Sequence, residues 1–130
     1  FQYYLPTLKK AEQASVVMFS TVAVQSGMPY HASIAAAKGA VEGLVKSLAA
    51  EFAPKIRVNA IAPSLIDTPL AAGILRSDQI KENMIAKHPL KRILNPIDVS
   101  KTACFLLSED SNGITGQIIV QDNGLVSLSY

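Results

Sequence analysis

The 130-residue sequence has no tryptophan, one cysteine and no long hydrophobic run. The lone Cys104 cannot support a disulfide framework, so a reducing, cytoplasmic setting is expected, and its apolar neighbours predict a buried side chain. No apolar stretch approaches the roughly 20 residues of a membrane span, so we expect no transmembrane helix. The first residues lack a methionine, a charged n-region and a cleavage site, so we expect no signal peptide and a chain that starts inside a helix.

A strong charge of either sign is also lacking. Twelve basic and ten acidic residues leave a net charge of +2, and the basic residues are scattered. This balance argues against nucleic acid or an anionic membrane as a partner. Hydrophobic residues make up 49% of the chain, enough for a buried core in one domain over residues 1–130. His88 stands before Pro89 in a predicted loop, and the two histidines lack the spacing of a metal site.

Short strands alternate with helices along the chain. The predicted elements are a helix remnant at 1–11, strands at 15–20, 56–61 and 116–120, a long alanine-rich helix at 31–53, a polar helical stretch at 68–88, a helix from Pro96 to about Ser108, and a turn at 122–124. This order predicts a parallel three-stranded sheet with helices on both faces. The apolar strand 15–20 should not lie at an open edge, so we expect either a preceding segment or a partner chain beside it.

Three segments together resemble the short-chain dehydrogenase/reductase family. Residues 31–44 are similar to its Tyr-x-x-x-Lys region, and residues 56–69 to its Arg-Val-Asn and Pro-Gly-x-Ile-x-Thr signature. Residues 105–124 are similar to its closing Leu-Leu-Ser, Ile-Thr-Gly-Gln and Asp-Gly-Gly segment. The matches occur in the family's order and spacing. The resemblance implies the C-terminal half of a Rossmann-like, doubly wound parallel sheet, with the glycine-rich phosphate-binding half outside this sequence.

The resemblance implies roles at particular positions. Lys38 matches the lysine that binds the nicotinamide ribose, and Thr21 stands at the position of the catalytic serine. Three residues match the segment that holds the nicotinamide carboxamide of NAD or NADP: Pro63, Ile66 and Thr68. Ser64 replaces the glycine of that segment. Residues 70–88 match the family's substrate-binding flap, and the substrate is implied to be a small carbonyl or alcohol compound.

The proton donor departs from the family pattern. Ile34 occupies the tyrosine position, and an isoleucine cannot donate a proton. His31 lies three residues before Ile34 and seven before Lys38, on neighbouring parts of one helical face, and is a candidate replacement. Tyr30 is a further candidate in the preceding loop. No Gly-x-Ser-x-Gly elbow accompanies the serines, which argues against a hydrolase.

Two functional interpretations follow. In the first, the chain is part of an NAD(P)-dependent oxidoreductase, inactive when isolated because the phosphate-binding glycines lie outside it. In the second, it is a degenerate, non-catalytic relative that keeps the fold and the oligomer interface. The resemblance also implies a homo-oligomer formed through the 31–53 helix, where Gly39 and Gly43 allow close approach of a second helix.

Overall fold

The computed structural model describes residues 1–128 and contains a three-layered α/β arrangement. The helices are α1 (Leu5–Lys10), α2 (Ala32–Phe52), α3 (Asp78–Lys87) and α4 (Pro96–Leu107). The strands are β1 (Ala14–Phe19), β2 (Ile56–Pro63) and β3 (Ile118–Gln121). Short 3₁₀ turns occur at Val22–Val24, Pro69–Ala71 and Glu109–Ser111. The predicted fold class and order of elements are confirmed.

The sheet is parallel throughout, with the order β1-β2-β3. Ala14 of β1 pairs with Ile56 of β2, and Ala60 of β2 pairs with Ile118 of β3. Within the described residues, β1 pairs with β2 alone, so its other edge is free, and most of its side chains are half-buried. The strand is therefore a sheet edge among the described residues, and the segment or partner chain expected beside it stays a prediction.

The central strand β2 supplies both faces of the core. Successive side chains of a strand point to opposite faces, and Ile56, Val58 and Ala60 pack with Val45, Leu48 and Ala49 of α2. Ile61 faces the other way and packs with Leu94, Val99 and Leu106. Helix α2 therefore covers one face of the sheet, and α4 covers the other.

Helix α4 begins at a capping box formed by Asn95 and Asp98. Asn95 caps the helix by accepting a hydrogen bond from the Asp98 amide, and the Asp98 carboxylate accepts one from the Asn95 amide. Pro96 occupies the first turn, where its missing N–H costs nothing. The N–H of Asn95 lowers the pKa of Asp98, and the neighbouring Arg92 lowers it further.

One sequence expectation about α4 is wrong. Cys104 was expected to be buried, yet its side chain is exposed. The buried residues of α4 are Val99 and Leu106, seven positions apart and therefore on one face at 3.6 residues per turn. Cys104 lies between them in sequence but on the outer side of the helix.

The polar stretch 68–88 also differs from the single helical pattern expected. It forms the 3₁₀ turn Pro69–Ala71 and then α3, which begins only at Asp78. The Ser77 hydroxyl accepts a hydrogen bond from the Ile80 amide and starts α3 there.

Candidate active site

A cavity of about 730 Å³ lies beyond the carboxyl ends of the strands. In a parallel sheet these ends meet at one edge, where ligands of open α/β sheets bind. The polar side chains on its wall come from segments that follow β1 and β2 and from α3 and its end; they are Thr21, Ser26, His31, Ser64, Thr68, Lys87 and His88. The rest of the wall is mainly aliphatic or methionine side chains. The cavity is thus an apolar pocket with few polar groups, a usual form of a small-molecule site.

Seven positions named in the sequence analysis meet at this cavity: Thr21, His31, Ile34, Ser64, Ile66, Thr68 and His88. The Thr21 hydroxyl lies 3.4 Å from the Ala23 amide, which donates to it at the start of the 3₁₀ turn. Ile34, at the position of the family's tyrosine, places an aliphatic side chain on the wall and is 41% exposed. That part of the wall therefore offers no acid or base.

Lys38 and Pro63 are not among the residues that line the cavity. The Lys38 ammonium donates to the Phe19 carbonyl at 2.9 Å, which fixes it at the end of β1. An ammonium has three donors, so two remain for another partner. Pro63 is the last residue of β2 and pairs with Gln121 of β3.

The two proposed replacements for the tyrosine differ in position. His31 stands at the N-terminal end of α2, is exposed, and has Nδ1 2.7 Å from the Pro29 carbonyl oxygen. Tyr30 is fully exposed and has a positive φ of 65°. His31 lines the cavity and Tyr30 does not, so the structure brings only one of the two candidates to the pocket.

Sequence reasoning placed His88 in a loop and missed its surroundings. His88 ends α3 and is only 1% exposed. Its Nδ1 lies 2.7 Å from the Met84 carbonyl oxygen and its Nε2 lies 3.2 Å from Ser64 Oγ. The one available signal was Ser64 itself, a hydroxyl at a position where the resemblance implies glycine.

The turn after β3 closes another part of the cavity wall, through Leu125 and Val126. The buried carboxylate of Asp122 holds this turn by accepting hydrogen bonds from the amides of Gly124, Val126 and Ser127 at 2.7–2.9 Å. Gly124 has a φ of +87°, and a Cβ there would lie 2.9 Å from the ring of Pro89. The turn can therefore pack against the residue that follows His88 only because position 124 is glycine.

Other kinds of site receive no support in the described part of the chain. Residues 1–128 contain no cluster of three or more histidine, cysteine or acidic side chains that could hold a metal ion. None of the helices described is both long and apolar enough to cross a membrane.

Comparison with known proteins identifies the family. A family model described as enoyl-(acyl carrier protein) reductase matches residues 1–126. The short-chain dehydrogenase/reductase homolog YusR of Bacillus subtilis is 40% identical over 124 residues, which cover 92% of this chain and 89% of YusR. This chain belongs to the short-chain dehydrogenase/reductase family. The 3-oxoacyl-[acyl-carrier-protein] reductase FabG of Thermotoga maritima is 36% identical over 126 residues, 96% of this chain and 50% of that protein.

Two solved structures illustrate the similarity in fold. ElxO with NADP bound is 33% identical, with a TM-score of 0.86 over 98% of this chain and 52% of ElxO. A gluconate 5-dehydrogenase from Burkholderia cenocepacia, in complex with NADP and tartrate, is 26% identical with a TM-score of 0.90 over 98% of this chain and 51% of that one. The chain therefore spans about half the length of both solved proteins and of the Thermotoga reductase.

Proposed function

We propose that this chain forms the substrate-binding and nicotinamide-binding part of an NAD(P)-dependent oxidoreductase that acts on a carbonyl/alcohol pair. The observation that carries the proposal is the joint placement of Thr21, Ile66 and Thr68 on one largely apolar cavity. Membership in a family with NADP-bound relatives supports it. When bound, the cofactor supplies or accepts the hydride.

The backbone around Ile66 fits a carboxamide group. Ile66 forms an isolated bridge with Leu94, made by the Leu65 carbonyl and the Asp67 amide. The bridge leaves the N–H of Ile66 itself unused and able to donate to an amide oxygen. The Thr68 hydroxyl does not cap its own turn and lies 3.5 Å from the Ile66 carbonyl, too far for a strong hydrogen bond. The Ile66 N–H and the Thr68 hydroxyl can therefore form hydrogen bonds to a ligand without breaking a strong existing bond.

The remaining roles are those that the family resemblance implies, and the geometry is compatible with them. Lys38 would hold the ribose with the two N–H groups that the Phe19 carbonyl does not use. Pro63 would fix the start of the carboxamide-binding loop, because it ends β2 in register with β3. Thr21 would orient the substrate oxygen through its hydroxyl. His31, which lines the cavity, is the candidate proton donor.

The alternative function, a non-catalytic relative, is favoured by one observation. Ile34 gives the cavity an aliphatic side chain where the family has its acid. Under this alternative the fold and the oligomer interface persist without redox chemistry, and the nicotinamide end of the pocket is either kept or lost. Loss of binding of the nicotinamide end of the cofactor would therefore favour the alternative.

Nicotinamide mononucleotide is expected to bind this chain, whereas adenosine monophosphate, the other half of the cofactor, is not. Thr68→Val and Lys38→Met should each weaken the binding roughly fivefold or more, because each removes a hydrogen bond to the ligand and keeps the shape of the side chain. Lys46→Met is the matched control, an exposed lysine on the same helix. Titrations followed by amide chemical shifts measure the affinities.

Equal binding of the two half-cofactors, or unchanged affinity in both variants, would contradict the proposed function. Failure of nicotinamide mononucleotide to bind would instead support the non-catalytic alternative.

We also expect the chain to self-associate through α2. Leu44 is 46% exposed on this helix, and a Cβ added at its neighbour Gly43 would meet no atom within 4 Å. An open surface of small residues beside an exposed leucine allows close packing of a second helix. Light scattering should therefore give a mass of at least two chains at micromolar concentration. Leu44→Lys should reduce it to one chain, whereas Leu90→Lys, at an exposed leucine outside α2, should not.

A wild-type mass of one chain would contradict this assembly. So would equal behaviour of the two lysine variants.

A further inference from the structure

The pair Ser64–His88 is the most enclosed polar group of the cavity and has no role in the function proposed above. His88 is 1% exposed, and its imidazole is held between the Met84 carbonyl and the Ser64 hydroxyl. The Ser64 amide is fixed in turn, since it donates to the Gln121 carbonyl at 3.1 Å. Both partners of the pair are therefore held at defined positions in the wall.

The hydrogen-bond partners of His88 determine which of its ring nitrogens carries a proton. A carbonyl oxygen only accepts, so the contact with Met84 requires a proton on Nδ1 of His88. In the neutral imidazole Nε2 is then an acceptor, and the Ser64 hydroxyl donates to it. With its one proton engaged, Ser64 Oγ offers lone pairs alone. The pair is thus a hydrogen-bond acceptor for a ligand.

The rest of the wall limits the ligand. Ile34, Leu65, Met84 and Val126 give it an apolar surface, which favours a ligand with a hydrocarbon body. A ligand that binds Ser64 Oγ must therefore supply the hydrogen-bond donor. An alcohol has an O–H that can donate, whereas a ketone has only an acceptor oxygen. Because His88 is almost fully buried, the contact is made through Ser64.

The geometry points to Ser64 and His88 as the binding site for the hydroxyl group of an otherwise apolar secondary alcohol, with His88 as a positioning residue that orients the Ser64 hydroxyl. This inference rests on the proposed function, since it names the substrate class of the same cavity. The hydrogen bond from the ligand hydroxyl to Ser64 would form whether or not His31 acts as the proton donor in place of a tyrosine at position 34.

Three bicyclic probes test the inference: 2-tetralol, 2-tetralone and tetralin, which share one hydrocarbon skeleton and differ in the oxygen. Binding is followed at pH 8 by methyl chemical shifts of the protein. The wild-type chain is expected to bind 2-tetralol roughly fivefold or more tightly than tetralin, the usual gain from one net hydrogen bond. It should bind 2-tetralone less tightly than 2-tetralol.

Two variants separate the roles of the pair. Ser64→Ala should bring the affinities for 2-tetralol and tetralin to within about twofold, because it removes the acceptor. His88→Leu should free the Ser64 proton to donate, and so shift the preference from 2-tetralol towards 2-tetralone. A merely structural role for His88 would weaken all three probes together. Ser100→Ala, at an exposed serine of α4, is the matched control.

Equal wild-type affinity for 2-tetralol and tetralin would overturn the inference. Retention of the alcohol preference in Ser64→Ala would overturn it as well, and if that preference is then lost in His31→Gln, the hydroxyl site belongs to His31. If His88→Leu does not fold, the Ser64→Ala ratio alone decides. These outcomes are independent of nicotinamide mononucleotide binding, so a failure here is distinguishable from a failure of the proposed function.

Discussion

Asp122→Asn is expected to lower the free energy of unfolding by about 2–4 kcal/mol at neutral pH. In the wild type, one carboxylate oxygen accepts from the Gly124 amide, and the other accepts from the amides of Val126 and Ser127 and from the Ser127 hydroxyl. Asparagine can supply only one acceptor oxygen. Its NH₂ group would face N–H donors at the other position, in a site where Asp122 is 5% exposed.

The loss of unfolding free energy caused by Asp122→Asn should depend on pH in a direction that the pKa of Asp122 determines. Burial by itself raises the pKa of Asp122, but the hydrogen bonds from Val126, Gly124 and Ser127 lower it by more, so the pKa of this carboxyl lies below its usual value. A lowered folded-state pKa contributes stability that is complete above the unfolded pKa of about 3.9 and is lost as the pH falls through the folded value. The difference between wild type and Asp122→Asn should therefore be constant near neutral pH and shrink below about pH 4.

Chemical denaturation at a series of pH values measures this difference. Asp98, whose pKa is also lowered, is present in both proteins, so its contribution cancels. Asp110→Asn is the control at an exposed aspartate. A difference that stays constant below pH 4, or a loss near zero at neutral pH, would contradict the role assigned to Asp122. The expected result connects stability to the site, since the Asp122 turn carries part of the cavity wall.

Arg57→Ala is expected to lower the free energy of unfolding by about 2–4 kcal/mol. The guanidinium donates to the carbonyls of Leu106 and Ser108 at 3.0 and 2.8 Å and to Ser111 Oγ at 2.9 Å. These groups lie at the carboxyl end of α4, where a cation is favoured by the helix dipole. Alanine would leave the buried Ser111 hydroxyl and the helix-terminal carbonyls without this donor.

Urea unfolding measures this loss against two variants. Arg57→Lys should lose roughly half as much, because one ammonium keeps the charge and lacks the planar fork that reaches several acceptors. Arg76→Ala, at an exposed arginine, should change the stability by less than about 0.5 kcal/mol. Equal effects of the alanine substitutions at 57 and 76 would show that Arg57 does not join β2 to α4.

The strands were predictable from the sequence because they are short runs rich in apolar and β-branched residues, bounded by turn residues. The strands predicted at 15–20 and 56–61 lie within two residues of the observed bounds at each end. The third strand starts at Ile118 rather than at Gly116, since Gly116 has a φ of +71°, outside the strand region. The residue pattern within a run indicates that a strand is present. The residue at which the strand begins depends on the backbone conformation of the adjoining turn.

The site was predictable only where it follows a linear motif. Thr21, Ile66 and Thr68 were identified through the resemblance to the family's motifs, and each lines the cavity. The contact between Ser64 and His88 joins residues 24 positions apart through the packing of α3 against the end of β2, and no sequence period reports such a contact. Likewise, the bond of Lys38 to the Phe19 carbonyl depends on where α2 crosses β1. The roles of these residues in binding stay predictions.

The central claim is that the nicotinamide end of the cofactor binds beside Ile66 and Thr68 at the carboxyl ends of the strands. Intermolecular nuclear Overhauser effects between the ring protons of bound nicotinamide mononucleotide and the protein test it most directly. We expect effects from the ring to the side chains of Ile66, Thr68 and Thr21, which share the cavity wall. Effects confined to a distant surface, such as the Glu12, Gln13, Glu109 and Asn112 cleft, would contradict the claim.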